Sequence, residues 1–385
     1  MSRFYSYINS AENVIKSYDG NGPLISHLKS FFSVHKQMGG RDRKTISHLC
    51  YCFYRCFFLF EHLPMKDRIL NALYLCERSS HPLLANIAPA LDETVMLAID
   101  QKLIILNEDA TNIFPFMQLL TEKLDQELFS SSLLIQPNLH VRARPGMTSQ
   151  VTDKLNNAGI IFSLEEECIT LANGTKLDSV ISLNEEAIVQ DLNSQKVLDY
   201  LDQYNAPHEP LRAWDCCAAS GGKSILLADK VKGNYQLTVS DIRSSILDNL
   251  QKRLEQAKVP LYKQFVVDLT NEPVPGNEYD IIIADVPCTG SGTWARTPEQ
   301  VAFFKIKTAA AYAARQLKIA ANAFASLAPG GMFFYITCSV FTIENENVID
   351  ALSKQFSFEL LEMNYLHGYD KKADSLFVAV LRKPV

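Results

Sequence analysis

Trp214-Asp215-Cys216-Cys217-Ala218-Ala219-Ser220-Gly221-Gly222-Lys223-Ser224 is the stretch on which the reading of this chain turns. A strand over 212–216 runs into small residues, and a helix is expected to begin near Lys223. Such a turn lets backbone N–H groups and a helix N-terminus approach an anionic or polar ligand. It is not a P-loop, because Ala218 stands where the first glycine of that motif would be. Taken alone, Gly-Gly after a strand is as often a tight turn as a ligand loop.

Outward from this loop the pattern alternates strand and helix. Strands are expected at 212–216, 236–240, 262–267, 280–284 and 332–337, with helices over 244–257 and 298–327. That alternation predicts βαβ units and a parallel sheet covered on both faces. Two strand-like runs at 356–362 and 376–381 have no helix between them and predict a closing antiparallel pair. Asp241 closes the second strand and Asp268 the third. Ligands of open α/β sheets lie outside the carboxyl ends of the strands, where an acid can accept hydrogen bonds from ribose hydroxyls. Each Asp alone could equally cap a turn. Three loop features in register on successive strands favour a nucleoside cofactor. The fourth strand ends in Asp285-Val286-Pro287-Cys288-Thr289-Gly290-Ser291-Gly292, and the fifth in Thr337-Cys338-Ser339, followed by Glu344-Asn345-Glu346.

Toward the N-terminus, residues 1–132 read as six or seven helices with short breaks. Leu49, Phe53, Cys56, Phe57 and Phe60 fall on one helical face. Residues 133–190 read as a small α/β unit, with strands at 133–135, 139–142, 159–162 and 168–171 and a helix at 149–158. The third region, 191–385, holds the alternating pattern. Two or three domains also suit a length of 385 residues. The longest apolar run, 49–60, is interrupted by Arg55 and too short to span a bilayer. No signal peptide is visible in MSRFYSYINS. Nine cysteines, an odd number without zinc-finger spacing, argue against a secreted disulfide framework and for a reduced, cytoplasmic protein without a metal. The net charge of −6 hides a +5 balance in residues 1–60. That balance is compatible with an RNA-binding face, although on charge alone a solvated helix surface is the better reading.

The motifs DCCAASGGKS (215–224), DVPCTGSGTWARTPE (285–299) and YITCSVFTIENENV (335–348) resemble those of the Fmu/Sun, or RsmB-type, RNA cytosine-C5 methyltransferases. The resemblance runs from about residue 189 to 385. The segment GGRDRKTISHLCYCFYRC (39–56) is similar, more weakly, to the NusB-like RNA-binding helical domain that precedes the catalytic part in bacterial members. The resemblance implies a Rossmann-like, seven-stranded methyltransferase sheet that binds S-adenosylmethionine. Cys217, Ala218, Ala219, Ser220, Gly221, Gly222 and Lys223 match the cofactor loop, Asp241 the ribose acid, Asp268 the acid near the adenine, and Asp285 the acid at the cofactor–cytosine junction. Cys338 matches the nucleophile and Cys288 the second, release-assisting cysteine. Arg41, Arg43, Lys44 and Arg296 are the expected RNA contacts. Three departures stand out: Ser220 replaces the usual proline, Ala295 replaces one of two arginines, and Val141-Arg142-Ala143-Arg144-Pro145 replaces an Arg-Val-Asn-like strand.

The chemistry has its own logic. C5 of cytosine is a poor nucleophile, and a thiolate adding at C6 makes C5 enamine-like, splitting one hard step into easier ones. A carboxyl at N3 or N4, from Asp285, would stabilise charge developing on the ring. Cysteines at the ends of adjacent strands beside an acid suit this. Spacing alone does not rank the two thiols; the resemblance selects Cys338. Cys50, Cys52, Cys56, Cys76 and Cys168 sit in apolar runs and are expected in cores. None of the eight histidines lies in these loops, against a Ser-His or Cys-His hydrolase. The expectation is a monomeric methyltransferase acting on 16S ribosomal RNA. The rivals are a tRNA cytosine-C5 methyltransferase and a catalytically silent RNA-binding assembly factor.

Overall fold

The computed structural model describes residues 3–203, 209–231, 233–271, 273–274 and 278–385. They form two compact units: Met1–Gln136 with Thr293–Lys305, and Pro137–Gly292 with Ile306–Val385.

The first unit is helical, with eight α-helices described before residue 137. Of the expected apolar face, Leu49, Phe53, Cys56 and Phe60 are buried, although the helix Gly40–Arg55 stops before the last two. Arg55 is itself buried and donates to Gln136 Oε1 (2.7 Å) and to the Ala295 carbonyl (2.8 Å). The Leu24 N–H donates to the buried Glu299 carboxylate at 3.0 Å. These bonds explain why Thr293–Lys305 groups with the helices, although 191–385 was expected to be continuous. The expected single helix 298–327 is accordingly two, Glu299–Phe303 and Ile306–Phe324. At the break Phe303 meets Tyr18 (5.5 Å) and Phe304 meets Phe116 (4.9 Å), edge to face. This packing outweighs one more turn of helix. The strand expected at 133–135 is also absent. Leu133, Leu134 and Ile135 donate to the carbonyls of Ser130, Ser131 and Ser132, continuing the helix Gln126–Ser132 as a local turn.

The second unit holds two sheets. The small one contains β1 (Leu139–Ala143), β2 (Phe162–Glu165), β3 (Cys168–Leu171) and β4 (Ala187–Val189), antiparallel in the order β2-β3-β1-β4. The strand expected at 159–162 thus begins only where the other was to end. The small sheet is not a separate compact unit. Arg142 and Arg144 on and beside β1 both grip Asp229, on the helix Gly222–Lys230. The two arginines in the departing segment are therefore committed to an internal carboxylate.

The large sheet contains β5 (Leu211–Asp215), β6 (Tyr235–Asp241), β7 (Lys263–Val266), β8 (Tyr279–Asp285), β9 (Leu327–Thr337), β10 (Glu359–Leu366) and β11 (Leu376–Arg382). Their order is β10-β11-β9-β8-β5-β6-β7. β5 to β9 are parallel, and β11 pairs antiparallel with β9 and β10, as the helix-free pair predicted. Ile281, Ile282 and Ile283 on β8 are buried on both faces, as β-branched residues in a covered parallel strand should be. Trp214 on β5 has no exposed surface and donates Nε1–H to Ser240 Oγ at 3.0 Å; truncating it to Ala would cost about 3–5 kcal/mol. Strand order reverses between β5 and β8, which opens a crevice at their carboxyl ends.

Candidate active site

The loop after β5 enters the crevice with Ala219 (φ +45°) and Gly221 (φ +81°) in left-handed conformations. A side chain at Gly221 would also press on Leu250, 3.2 Å from the Cβ position. The Ala218 N–H donates to the Ser240 carbonyl at 2.9 Å and ties the turn to β6. A cavity of about 330 Å³ lies against it. Cys217 and Ala219 line it, and so do all three expected acids, Asp241, Asp268 and Asp285. Ala218, Ser220, Gly221 and Gly222 shape the turn rather than line the cavity.

Burial pushes the Asp241 carboxyl up, but hydrogen bonds from Arg243 and from the Ala219 N–H outweigh it and hold the group below its usual range. Asp268 is likewise held low by the Thr270 hydroxyl and N–H. Arg243, Arg315, Pro287 and Ile319 also line the cavity and were missed. Arg243 follows Asp241 by two residues, a signal within reach; Arg315, in an Ala-rich helix, carried none. Asp215, which ends β5, is a further omission. It is buried, with Oδ2 accepting from Ser224 Oγ at 2.6 Å, and burial together with the nearby Asp285 charge raises it to about 7.

Lys223 reaches from the start of the helix to Asp285, Nζ to Oδ2 at 2.6 Å. Burial disfavours its charge, but Asp285 more than compensates and raises the ammonium, with a further contribution from Cys338. Beyond this ion pair the two loop thiols meet, with Cys288 Sγ and Cys338 Sγ 3.3 Å apart. The hydrogen bond to Cys338, then burial, pushes the Cys288 thiol up. The two loops are stapled: Gly292 N–H donates to the Cys338 carbonyl (2.9 Å), and Ser375 N–H to the Gly292 carbonyl (3.0 Å). No side chain fits at Gly292, where a Cβ would fall 2.0 Å from the Ser375 oxygen.

The expected RNA contacts all belong to the helical unit. Arg41 and Lys44 are exposed on the helix Gly40–Arg55. Arg43 is half-buried, donates to the Met38 carbonyl (2.9 Å) and lies over the Phe32 ring, so its charge is partly spent within the unit. Arg296 sits in the segment that groups with the helices, its N–H on the Thr293 carbonyl. Among the described residues, no group of three His, Cys, Asp or Glu side chains is arranged to hold a metal ion, and no helix is long and apolar enough to cross a membrane.

A seven-stranded sheet of this order, with a cavity at its strand reversal, has the Rossmann-like fold of S-adenosylmethionine-dependent methyltransferases. Residues 203–380 match the family model described as 16S rRNA methyltransferase RsmB/F, in line with the resemblance read from the motifs. A probable ribosomal RNA small subunit methyltransferase B from Bacillus subtilis (strain 168) is 27% identical over 229 residues, 58% of this chain and 50% of that protein. The chain thus spans about half the length of the curated relatives it matches. Two solved structures share the fold. PH0851 aligns over 100% of both chains with TM-score 0.74 at 18% identity. NSun6 from Pyrococcus horikoshii with SFG aligns over 70% of this chain and 97% of its own, with TM-score 0.59 at 15% identity.

Proposed function

We propose that this chain methylates C5 of a cytosine in small-subunit ribosomal RNA, through a covalent bond between Cys338 and C6 of the base. The observation that carries the reading is the convergence of Asp285, Cys288 and Cys338, at the ends of two adjacent parallel strands, with Lys223 from the helix after β5. A hydrolase or a purely RNA-binding module needs no such set. The small-subunit substrate rests on the family description and on the names of the relatives. Exposed Arg41 and Lys44 would add phosphate contacts that weaken with salt. The protein would work in the cytoplasm as a monomer.

The cavity fits S-adenosylmethionine. Asp241 offers a carboxylate to a ribose diol, Asp268 faces the same space, and the turn at Ala219–Gly221 leaves room for close backbone approach. The cofactor supplies an electrophilic methyl group. Lys223 places a positive charge beside Cys338, the sulfur that adds to C6. Asp285, fixed by Lys223, hydrogen-bonds the base at N3 or N4 as its electron density moves to C5. After transfer, the C5 proton leaves and the Cys338–C6 bond breaks, which returns the electron pair to sulfur. Cys288 assists that release.

The test is a denaturing gel of Cys288→Ala and Cys338→Ala incubated with RNA and cofactor. Cys288→Ala should accumulate protein joined to RNA, and Cys338→Ala should neither turn over nor trap RNA. The reverse pattern would exchange the two roles. Bisulfite sequencing of ribosomal and transfer RNA from a deletion strain identifies the substrate; loss of protection in a tRNA alone would refute the ribosomal assignment.

A further inference from the structure

Glu344 belongs to the Glu-Asn-Glu run after the fifth strand, to which the mechanism above gives no task. Its side chain has no exposed surface, and no cation is bonded to it among the contacts described. It is instead ringed by neutral donors. Oε1 accepts from the Thr289 N–H (2.8 Å) and from Gln316 Nε2 (3.1 Å), and Oε2 accepts from the hydroxyls of Thr289 and Ser339. Thr289 directly follows Cys288, and Ser339 directly follows Cys338. Gln316 also donates to the carbonyl of Pro287, the residue before Cys288, at 3.0 Å. The backbone carbonyl of Glu344 is fixed in turn by the Tyr335 hydroxyl at 2.6 Å.

One carboxylate therefore holds the residues beside both thiols. A buried charge is costly unless its lone pairs are filled, so these donors have little freedom to leave it. We propose that Glu344 is a positioning residue that sets the separation of Cys288 and Cys338. It touches neither sulfur, base nor cofactor, and acts through Thr289 and Ser339. Glutamine is a weaker substitute: its oxygen can accept from the Thr289 N–H and Gln316 Nε2, but its NH2 donates to the Thr289 and Ser339 hydroxyls, which must turn their own protons away, and it carries no charge to draw them in.

The inference rests on the proposed chemistry for its consequence, but its geometry can be tested without turnover. Diamide oxidises two thiols to one disulfide and takes up two protons and two electrons, becoming the hydrazine. In the wild-type protein it should join Cys288 to Cys338, reversibly by dithiothreitol, as read by peptide mass. Glu344→Gln should form that disulfide far more slowly, while melting temperature and S-adenosylmethionine affinity stay near wild type. In methylation assays the same variant should lose kcat by about 100-fold with KM for RNA little changed, as expected when reacting groups are misplaced by an ångström. If Glu344→Gln does not fold, Thr289→Val removes one hydroxyl donor and keeps the N–H; it should show the same two effects to a smaller degree. Disulfide formation at the wild-type rate in a folded Glu344→Gln would overturn the positioning role. A slowed disulfide together with a wild-type protein that methylates no RNA would instead sink the proposed function and leave the positioning intact.

Discussion

Each unit of this protein buries a lysine and a group of close thiols, and their settings differ. In the helical unit, Lys102 donates to the carbonyls of Tyr74 (2.9 Å) and Glu77 (2.6 Å), and Cys56 Sγ lies 4.0 Å from Cys76 Sγ. In the sheet unit, Lys223 meets Asp285, and the two loop thiols are 3.3 Å apart. Burial, helped by the Arg78 charge, pulls Lys102 down to about 8, whereas the Asp285 charge lifts Lys223 above its ordinary value despite burial. The thiols do not follow this contrast, since Cys288 is pushed up as well. Cys52 and Cys56 are pushed up by a neighbouring thiol and by burial in a hydrophobic core. Closeness of sulfurs is thus no mark of a site. Opposite charge, strand ends and a cavity are.

The strongest way to break this contrast is chemical. Iodoacetamide at pH 8 should label the half-buried Cys338 in the native protein, while Cys50, Cys52 and Cys56 stay protected until the helical unit opens. Native labelling of the buried cysteines at comparable rates, followed by peptide mass spectrometry, would remove the distinction. A smaller effect concerns the cavity. Asp241→Ala should weaken S-adenosylmethionine binding by about 1.5–3 kcal/mol for each charge-assisted hydrogen bond lost. Arg243→Ala should have the opposite sign, because Arg243 bonds both Asp241 oxygens that a ribose would need. Calorimetry showing equal affinity for Asp241→Ala would place the ribose elsewhere.

The smallest effect is a pH dependence of stability. In the folded chain Lys102 is pulled down to about 8, below the ordinary lysine value of about 10.4 that holds in the unfolded chain. Between these values the unfolded chain binds the extra proton, so stability relative to Lys102→Met should rise with pH. The difference should be flat below pH 8 and reach its plateau above about pH 10.5. A difference that falls over this range in urea titrations would mean that Lys102 is held as a cation.

Much of the sheet unit was legible because its signals are local. A β-branched run marks β8 and a largely aromatic one β9, and Asp241, Asp268 and Asp285 stand where the apolar residues stop. The illegible parts depend on distant partners. Nothing in the sequence around Arg142 and Arg144 names Asp229 as their shared partner. The break at Phe304 depends on Phe116, far away in sequence. Nor does the run Glu344-Asn345-Glu346 show that Thr289 and Ser339 close around its first acid.

The staple at Gly292 bears on how such a chain is made. The loop with Cys288 emerges from the ribosome first, the loop with Cys338 next, and β11, whose preceding residue Ser375 bonds Gly292, after both. A nascent chain that ends before Ser375 carries the two sulfurs without the bond that holds the first loop against β11. The paired thiols are therefore set in place at a late stage of translation, and under the proposed chemistry a half-made chain would have little means of attacking the RNA around it.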